Sequence, residues 1–275
     1  MANISRIEEE FAKWESQQYA GNSKEKRTKL AQFFTPAAFA KALIDKLGPL
    51  EGKDILDPCL GSGNLIAAAV LSGADPKRCY GIELDGAVLE VAKKRLADLG
   101  VPEENLVCRS ALEQSSYAKK FDCIVMNPPY KRGLHIDIAA ACIPNLKDDG
   151  ILLSLCPRNS LTKFKYFAPK MSKRVAKVRD YIESVEMIGF KAFDAVGLNV
   201  DFSIMTCKHN PTTHYFDNFF ESKVEKSLYK KVSSIYRRNK EVYTLWDGYN
   251  ENIRKPKAYS AQVGLKPQLN GTLRR

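Results

Sequence analysis

Asn127-Pro128-Pro129-Tyr130 is the stretch of this 275-residue chain whose residue types and order are best suited to chemistry. It follows an apolar run, Cys123 to Met126, that is short, partly β-branched and bounded by prolines, and so predicts a buried strand. Prolines donate no ladder hydrogen bond and push the preceding residue out of helix, which leaves Asn127 at a strand end in a stiff loop. Its carboxamide and the neighbouring carbonyls can accept hydrogen bonds from an amino group, while Tyr130 offers a flat face for stacking. Such a loop suits a planar ligand that carries an NH2 group.

A second stretch, Asp57-Pro58-Cys59-Leu60-Gly61-Ser62-Gly63, joins a predicted strand at Ile55-Leu56 to a predicted helix at 65–71. In open α/β sheets that turn borders the crevice at the carboxyl ends of the strands. Gly61 and Gly63 permit tight turning and close approach of backbone to a cofactor. The third glycine of a dinucleotide loop and the Gly-Lys-Ser/Thr ending of a triphosphate loop are both missing. Asp57 therefore points to a cationic ligand, not a pyrophosphate. Glu83 ends the next predicted strand, where an acid can accept from both hydroxyls of a ribose. Asp85 reads as the N-cap of the helix that follows.

The elements that position these groups alternate from residue 54 onward. Strands are predicted at 55–56, 80–84, 106–108, 123–126, 151–156, 185–190 and 202–207, with helices at 65–71, 87–99 and 135–146. This alternation predicts a Rossmann-like α/β fold, a mostly parallel seven-stranded sheet with helices on both faces. Upstream, Thr35 as N-cap and Pro36 as first helical residue start a helix that runs to about Leu47. Ile7, Phe11 and Trp14 stand at helical spacing in a polar segment that reads as a surface helix. The chain thus divides into an N-terminal extension over 1–30, a catalytic domain over 31–210, and a basic, tyrosine-containing segment over 211–275.

A formal net charge of +11 favours a polyanionic partner. Within 158–179 the residues Lys163, Lys165, Lys170, Lys173, Arg174 and Lys177 interleave with Phe164, Tyr166 and Phe167, a composition suited to phosphate contacts and stacking. The seven cysteines form no Cys-x-x-Cys pair and the three histidines no metal spacing with them, so core thiols in a reducing compartment are expected, with no metal. No apolar run approaches membrane-spanning length and the N-terminus does not read as a secretory signal, which predicts a cytoplasmic protein that does not enter membranes.

In order, Phe34-Thr35-Pro36, Asp57-Pro58-x-x-Gly61-Ser62-Gly63, Glu83 and Asn127-Pro128-Pro129-Tyr130 resemble the motifs of the amino-type DNA methyltransferases of gamma arrangement. The resemblance covers about residues 30–210. It implies transfer of a methyl group from S-adenosylmethionine to the N6 amine of adenine in DNA, in a restriction-modification setting within a bacterial or phage-infected cell. It implies that Phe34, Thr35, Pro36, Asp57, Gly61, Gly63, Glu83 and Asn127 bind cofactor. Asn127, Pro128, Pro129 and Tyr130 would form the catalytic loop, with Tyr130 and Phe193 stacking on a flipped base and Phe190 in reserve. Ser110 stands where the family places an acid near the cofactor's adenine, with Glu113 as a substitute. The Asn-Pro-Pro-Tyr loop is also compatible with an RNA adenine or guanine methyltransferase, a protein glutamine methyltransferase, or a non-catalytic nucleic-acid-binding subunit. Some sixty residues after 210 are short for a target-recognition domain, so a specificity subunit or a missing recognition domain is expected to read sequence.

Overall fold

A computed structural model describes residues 4–18, 35–116, 119–157, 169–188, 202–213 and 215. Phe34, Lys163, Lys165, Phe190, Phe193 and the segment from 216 onward lie outside the described residues. Seven strands form one sheet: β1 (Ile55–Asp57), β2 (Cys79–Glu83), β3 (Leu106–Cys108), β4 (Phe121–Met126), β5 (Leu146–Pro157), β6 (Ile182–Ile188) and β7 (Phe202–Lys208). Their spatial order is β3-β2-β1-β4-β5-β7-β6. The first five strands run parallel, while β7 is antiparallel to both β5 and β6. The sheet is therefore mixed, as a mostly parallel sheet with one inserted antiparallel strand.

Among the described residues six α-helices flank it: α1 (Ile4–Gln18), α2 (Ala37–Asp45), α3 (Asn64–Leu71), α4 (Gly86–Ala97), α5 (Leu134–Cys142) and α6 (Pro169–Ala176). Alternation along the strands sorts side chains onto two cores. Ile55, Val125, Leu153 and Ile204 pack with α1 to α4 on one face. Leu56, Ile124, Leu152 and Met205 pack with α5 and with Val175 of α6 on the other. Burial on both faces explains why β1 and β4 read as unbroken apolar runs.

Helix α1 departs from the expected surface helix. Ile7 has no exposed area and Phe11 is buried, because the helix lies against α2, α3 and α4 and extends their core. At the start of α2, Pro36 occupies the cap position and no side chain caps the helix, so Thr35 is not the N-cap that its residue type suggested. Asp85 does cap α4, its Oδ1 accepting from the Ala87 amide at 3.1 Å. Cys79, Cys123, Cys142, Cys156 and Cys207 are buried free thiols, whereas Cys108 is exposed.

Strand order reverses between β1 and β4, and at such a switch point the loops on either side part to leave a crevice. The loop after β1 is pressed onto β2 there: the Leu60 amide donates to the Ile82 carbonyl at 2.8 Å. A Cβ built at Gly81 would approach the buried Leu60 side chain to 2.7 Å, so any larger residue forces Leu60 to shift. Gly81→Ala is expected to destabilise the protein by about 1–3 kcal/mol through overpacking, read as a lowered midpoint in urea unfolding with unchanged slope.

Candidate active site

Asp57 is the last residue of β1 and Asn127 directly follows β4, so the fold sets the two chemistry-bearing stretches side by side across the switch point. Asn127 is fixed from both sides. Its Nδ2 donates to Thr35 Oγ1 at 3.1 Å, across 92 residues of sequence, and its Oδ1 accepts from the Tyr130 hydroxyl. The Thr35 hydroxyl is thus spent on the loop and not on capping a helix.

Behind Thr35 runs a buried polar chain. Asn64 Nδ2 donates to the Thr35 carbonyl at 2.6 Å, and Asn64 Oδ1 accepts from Ser62 Oγ at 3.1 Å and from Arg95 Nη1. Arg95 has no exposed area; its Nη1 also donates to the Ser62 carbonyl at 3.1 Å and its Nε to Glu10 Oε1 at 2.8 Å. Nη2 completes a two-bond clamp on the Glu10 carboxylate, and the guanidinium carbon lies 4.8 Å from the centre of the Phe11 ring. A hydrogen-bonded path therefore runs from α1 through α4 and α3 to the Asn127 carboxamide.

Tyr130 does not stand out from the loop. Its ring packs edge-on to His135 at 5.7 Å and tilted against Phe202 at 5.4 Å, while burial pushes its hydroxyl pKa well up. Burial, and secondly the charge of Arg174, bring His135 down to about 3, so it is neutral at working pH. The aromatic beside the loop among the described residues is Phe202 of β7.

On the β2 side, Glu83 accepts from the Gly61 amide at 2.8 Å and from the Asp85 amide at 2.9 Å. Asp57 Oδ1 accepts from the Cys59 amide at 2.9 Å. Both acids are buried, and among the described residues neither pairs with a cation. Burial first, and then the neighbouring Glu83, push Asp57 up to about 8; burial also raises Glu83 against three backbone donors that hold it down. Two desolvated acids without a counter-ion suit a ligand that brings positive charge. Leu84, 65% exposed, and Leu112, 47% exposed, follow β2 and β3 and offer bare apolar surface to a flat ring. Gly63 is left-handed (φ 85°) and opens α3. These features fit S-adenosylmethionine, which joins a charged end to a ribose and an adenine. Ser110 is half-buried, and its hydroxyl accepts from the Leu112 amide at 3.2 Å, shaping the turn that carries Leu112.

Pro128 is buried, and Pro129 and Pro36 are half-buried around this centre. Of the basic residues singled out, Lys173 is exposed on α6, whereas Arg174 is half-buried, pairs through Nε with Asp137 at 2.9 Å and donates to the Arg132 carbonyl. Glu10, Asn64, Arg95, Leu84, Leu112 and Phe202 carry no motif of their own. Asn64 had a signal in its place directly after Gly63; the pairing of Glu10 with Arg95 had none.

Arg95→Met leaves the Glu10 carboxylate buried without its partner and is expected to cost about 3–5 kcal/mol, whereas Glu10→Gln with Arg95→Met recovers much of it, measured by chemical denaturation. Asp57 gives a pH test. The folded carboxyl keeps its proton to about pH 8, while the unfolded one releases it near 3.8, so the ligand-free protein loses stability as pH rises between those values. Asp57→Asn is expected to flatten that dependence and, at pH 8, to raise Tm by at least about 2–4 °C, the equivalent of ~1 kcal/mol. The same substitution weakens binding of a cationic ligand, which calorimetric titration with S-adenosylmethionine checks.

Residues 15–145 match the family described as N-6 DNA Methylase. The type II methyltransferase M.VspI of Vibrio sp. is 33% identical over 138 residues, 49% of this chain and 31% of that protein. An rRNA N(6)-adenosine-methyltransferase of Danio rerio is 36% identical over 83 residues, 30% of this chain and 39% of its own length. The matched region spans less than half the length of these relatives. Among solved structures, the type I restriction-modification system methyltransferase subunit from Streptococcus thermophilus superposes with a TM-score of 0.53 at 20% identity, over 66% of this chain and 45% of that one, which establishes a shared fold. Family match, relatives and motif order agree over the same stretch: residues 15–145 are similar to the N-6 DNA methylases.

Proposed function

We propose that the protein transfers a methyl group from S-adenosylmethionine to the exocyclic N6 amine of an adenine in DNA, with the base turned out of the duplex into the crevice beside Asn127. The observation that carries this reading is the Asn127 carboxamide, fixed by Thr35 and Tyr130 at the end of β4 and next to the uncompensated Asp57 and Glu83. Asp57 would hold the charged end of the cofactor, Glu83 and the Gly61 backbone its ribose, and Leu84 and Leu112 its flat ring. When bound, S-adenosylmethionine supplies a methyl group on a cationic sulfur, so alignment and electrostatics carry much of the rate.

The adenine amine is a poor nucleophile because its lone pair is delocalised into the ring. Asn127 Oδ1 and the Pro128 carbonyl accept its two hydrogens, draw the nitrogen toward a tetrahedral arrangement and free that pair. In the structure Oδ1 is occupied by the Tyr130 hydroxyl, which the amine replaces; the Tyr130 ring then stacks on the base and offsets part of the few kcal/mol that base flipping costs. Once the new bond has formed, the surplus proton leaves the nitrogen for water. His135 is neutral and takes no proton in this scheme. The reading also assigns a cytoplasmic protein, with sequence recognition by a partner subunit or a further domain.

The test is transfer of labelled methyl to duplex DNA, to RNA and to protein. Asn127→Ala is expected to lower transfer to adenine in DNA by at least about 10²-fold while leaving S-adenosylmethionine binding largely intact. Tyr130→Phe keeps turnover, because the ring remains, and Tyr130→Ala loses it. Full turnover by Asn127→Ala, or transfer to RNA or protein alone, overturns the assignment.

A further inference from the structure

Directly after the Asn-Pro-Pro-Tyr loop the chain makes a short turn, Lys131 to Gly133, before α5 begins. Beside it lies a cleft of about 350 Å³ lined by Lys131, Arg132, Leu134 and Arg174. Lys131 and Arg132 are exposed and form no ion pair with the described residues. Arg174 is committed, to Asp137 and to the Arg132 carbonyl. Arg132 is the one non-glycine residue with positive φ (54°) among those described. A long side chain in the left-handed region costs about 1–2 kcal/mol, which Gly or Asn at that position would avoid. The Arg174 bond to its carbonyl holds the strained turn in place, and the result is two cations beside the catalytic loop that have no ion-pair partner among the described residues.

We infer that this cleft is a phosphate dock, in which Lys131 and Arg132 grip a DNA backbone phosphodiester flanking the target adenine while Arg174 and Asp137 position the turn. The inference rests on the function proposed above and adds to it the register of the strand. A base swung out of the stack stays tethered to its own two phosphates, so a base held at Asn127 brings a phosphodiester to the residues next in sequence. Phosphate contacts of this kind fix where the strand sits and carry no sequence information. Three of the four described residues that line the cleft are cations, and that charge favours a polyanion.

The experiment measures DNA affinity against salt for the unaltered protein and for Lys131→Gln with Arg132→Asn. Asparagine tolerates the left-handed backbone, so charge is removed without new strain. Each lost phosphate contact flattens the slope of log affinity against log salt by about 0.9 on a B-form duplex, so the pair is expected to remove about 1.8. At 0.1 M salt two such contacts contribute on the order of 60-fold relative to 1 M, so affinity falls at least about ten-fold while S-adenosylmethionine binding is unchanged. Uncharged methylphosphonate placed on either side of the target adenine weakens the unaltered protein and leaves the double variant nearly indifferent. Equal weakening of both proteins, or an unaltered slope in the variant, overturns the dock and leaves the methyltransferase reading standing. An unaltered protein that neither binds nor methylates DNA overturns both, and the same salt effect on RNA but not on DNA overturns the choice of DNA.

Discussion

A fully buried guanidinium is tolerated only if its donors find acceptors, because an unpaired buried charge costs several kcal/mol. Arg95 meets that demand with the Glu10 carboxylate, the Ser62 carbonyl and the Asn64 carboxamide. Each partner belongs to a different part of the site's support: α1, the glycine loop and the start of α3. Satisfying one side chain therefore ties the N-terminal helix to the cofactor loop and, through Thr35, to Asn127. Geometry at the Asn-Pro-Pro-Tyr loop depends on contacts more than a hundred residues upstream.

The two halves of the site differ in how they are held. Around Asn127 the polar groups are satisfied by one another, so the carboxamide is presented in one orientation before any ligand arrives. Around Asp57 and Glu83 two carboxyls are held away from solvent with backbone amides as their partners, so ionising them costs free energy that a bound cation would offset. Preorganisation on one side and stored electrostatic imbalance on the other suit a reaction whose rate comes chiefly from alignment.

Much of this was legible in the residues. The strand-helix alternation placed all seven strands with boundaries off by a few residues, because apolar runs bounded by glycine, proline and acids carry strong local signals. Asp57, Glu83 and Asn127 could be set at strand ends for the same reason. Composition marks the N-terminal helix as surface because its polar face dominates; Ile7, Glu10 and Phe11 show their burial only once α2, α3 and α4 are in place. Thr35 has the residue type of a cap because Thr-Pro is a common helix start. Local propensity could not show that its hydroxyl reaches a residue 92 positions away.

By itself, the order of residue types determined the class of sheet and the placing of Asp57, Glu83 and Asn127 at strand ends, since those depend on short-range periodicity and on backbone restrictions of glycine and proline. Tertiary structure alone decided which groups meet. It turned Tyr130 inward onto Asn127, placed Phe202 and His135 around its ring, gave Arg174 a clamping role, and left Lys131 and Arg132 beside the loop without an ion-pair partner among the described residues. The physical reason is that hydrogen bonds and ion pairs act over a few ångströms in space while linking residues tens to a hundred positions apart, and no spacing along the chain encodes that distance.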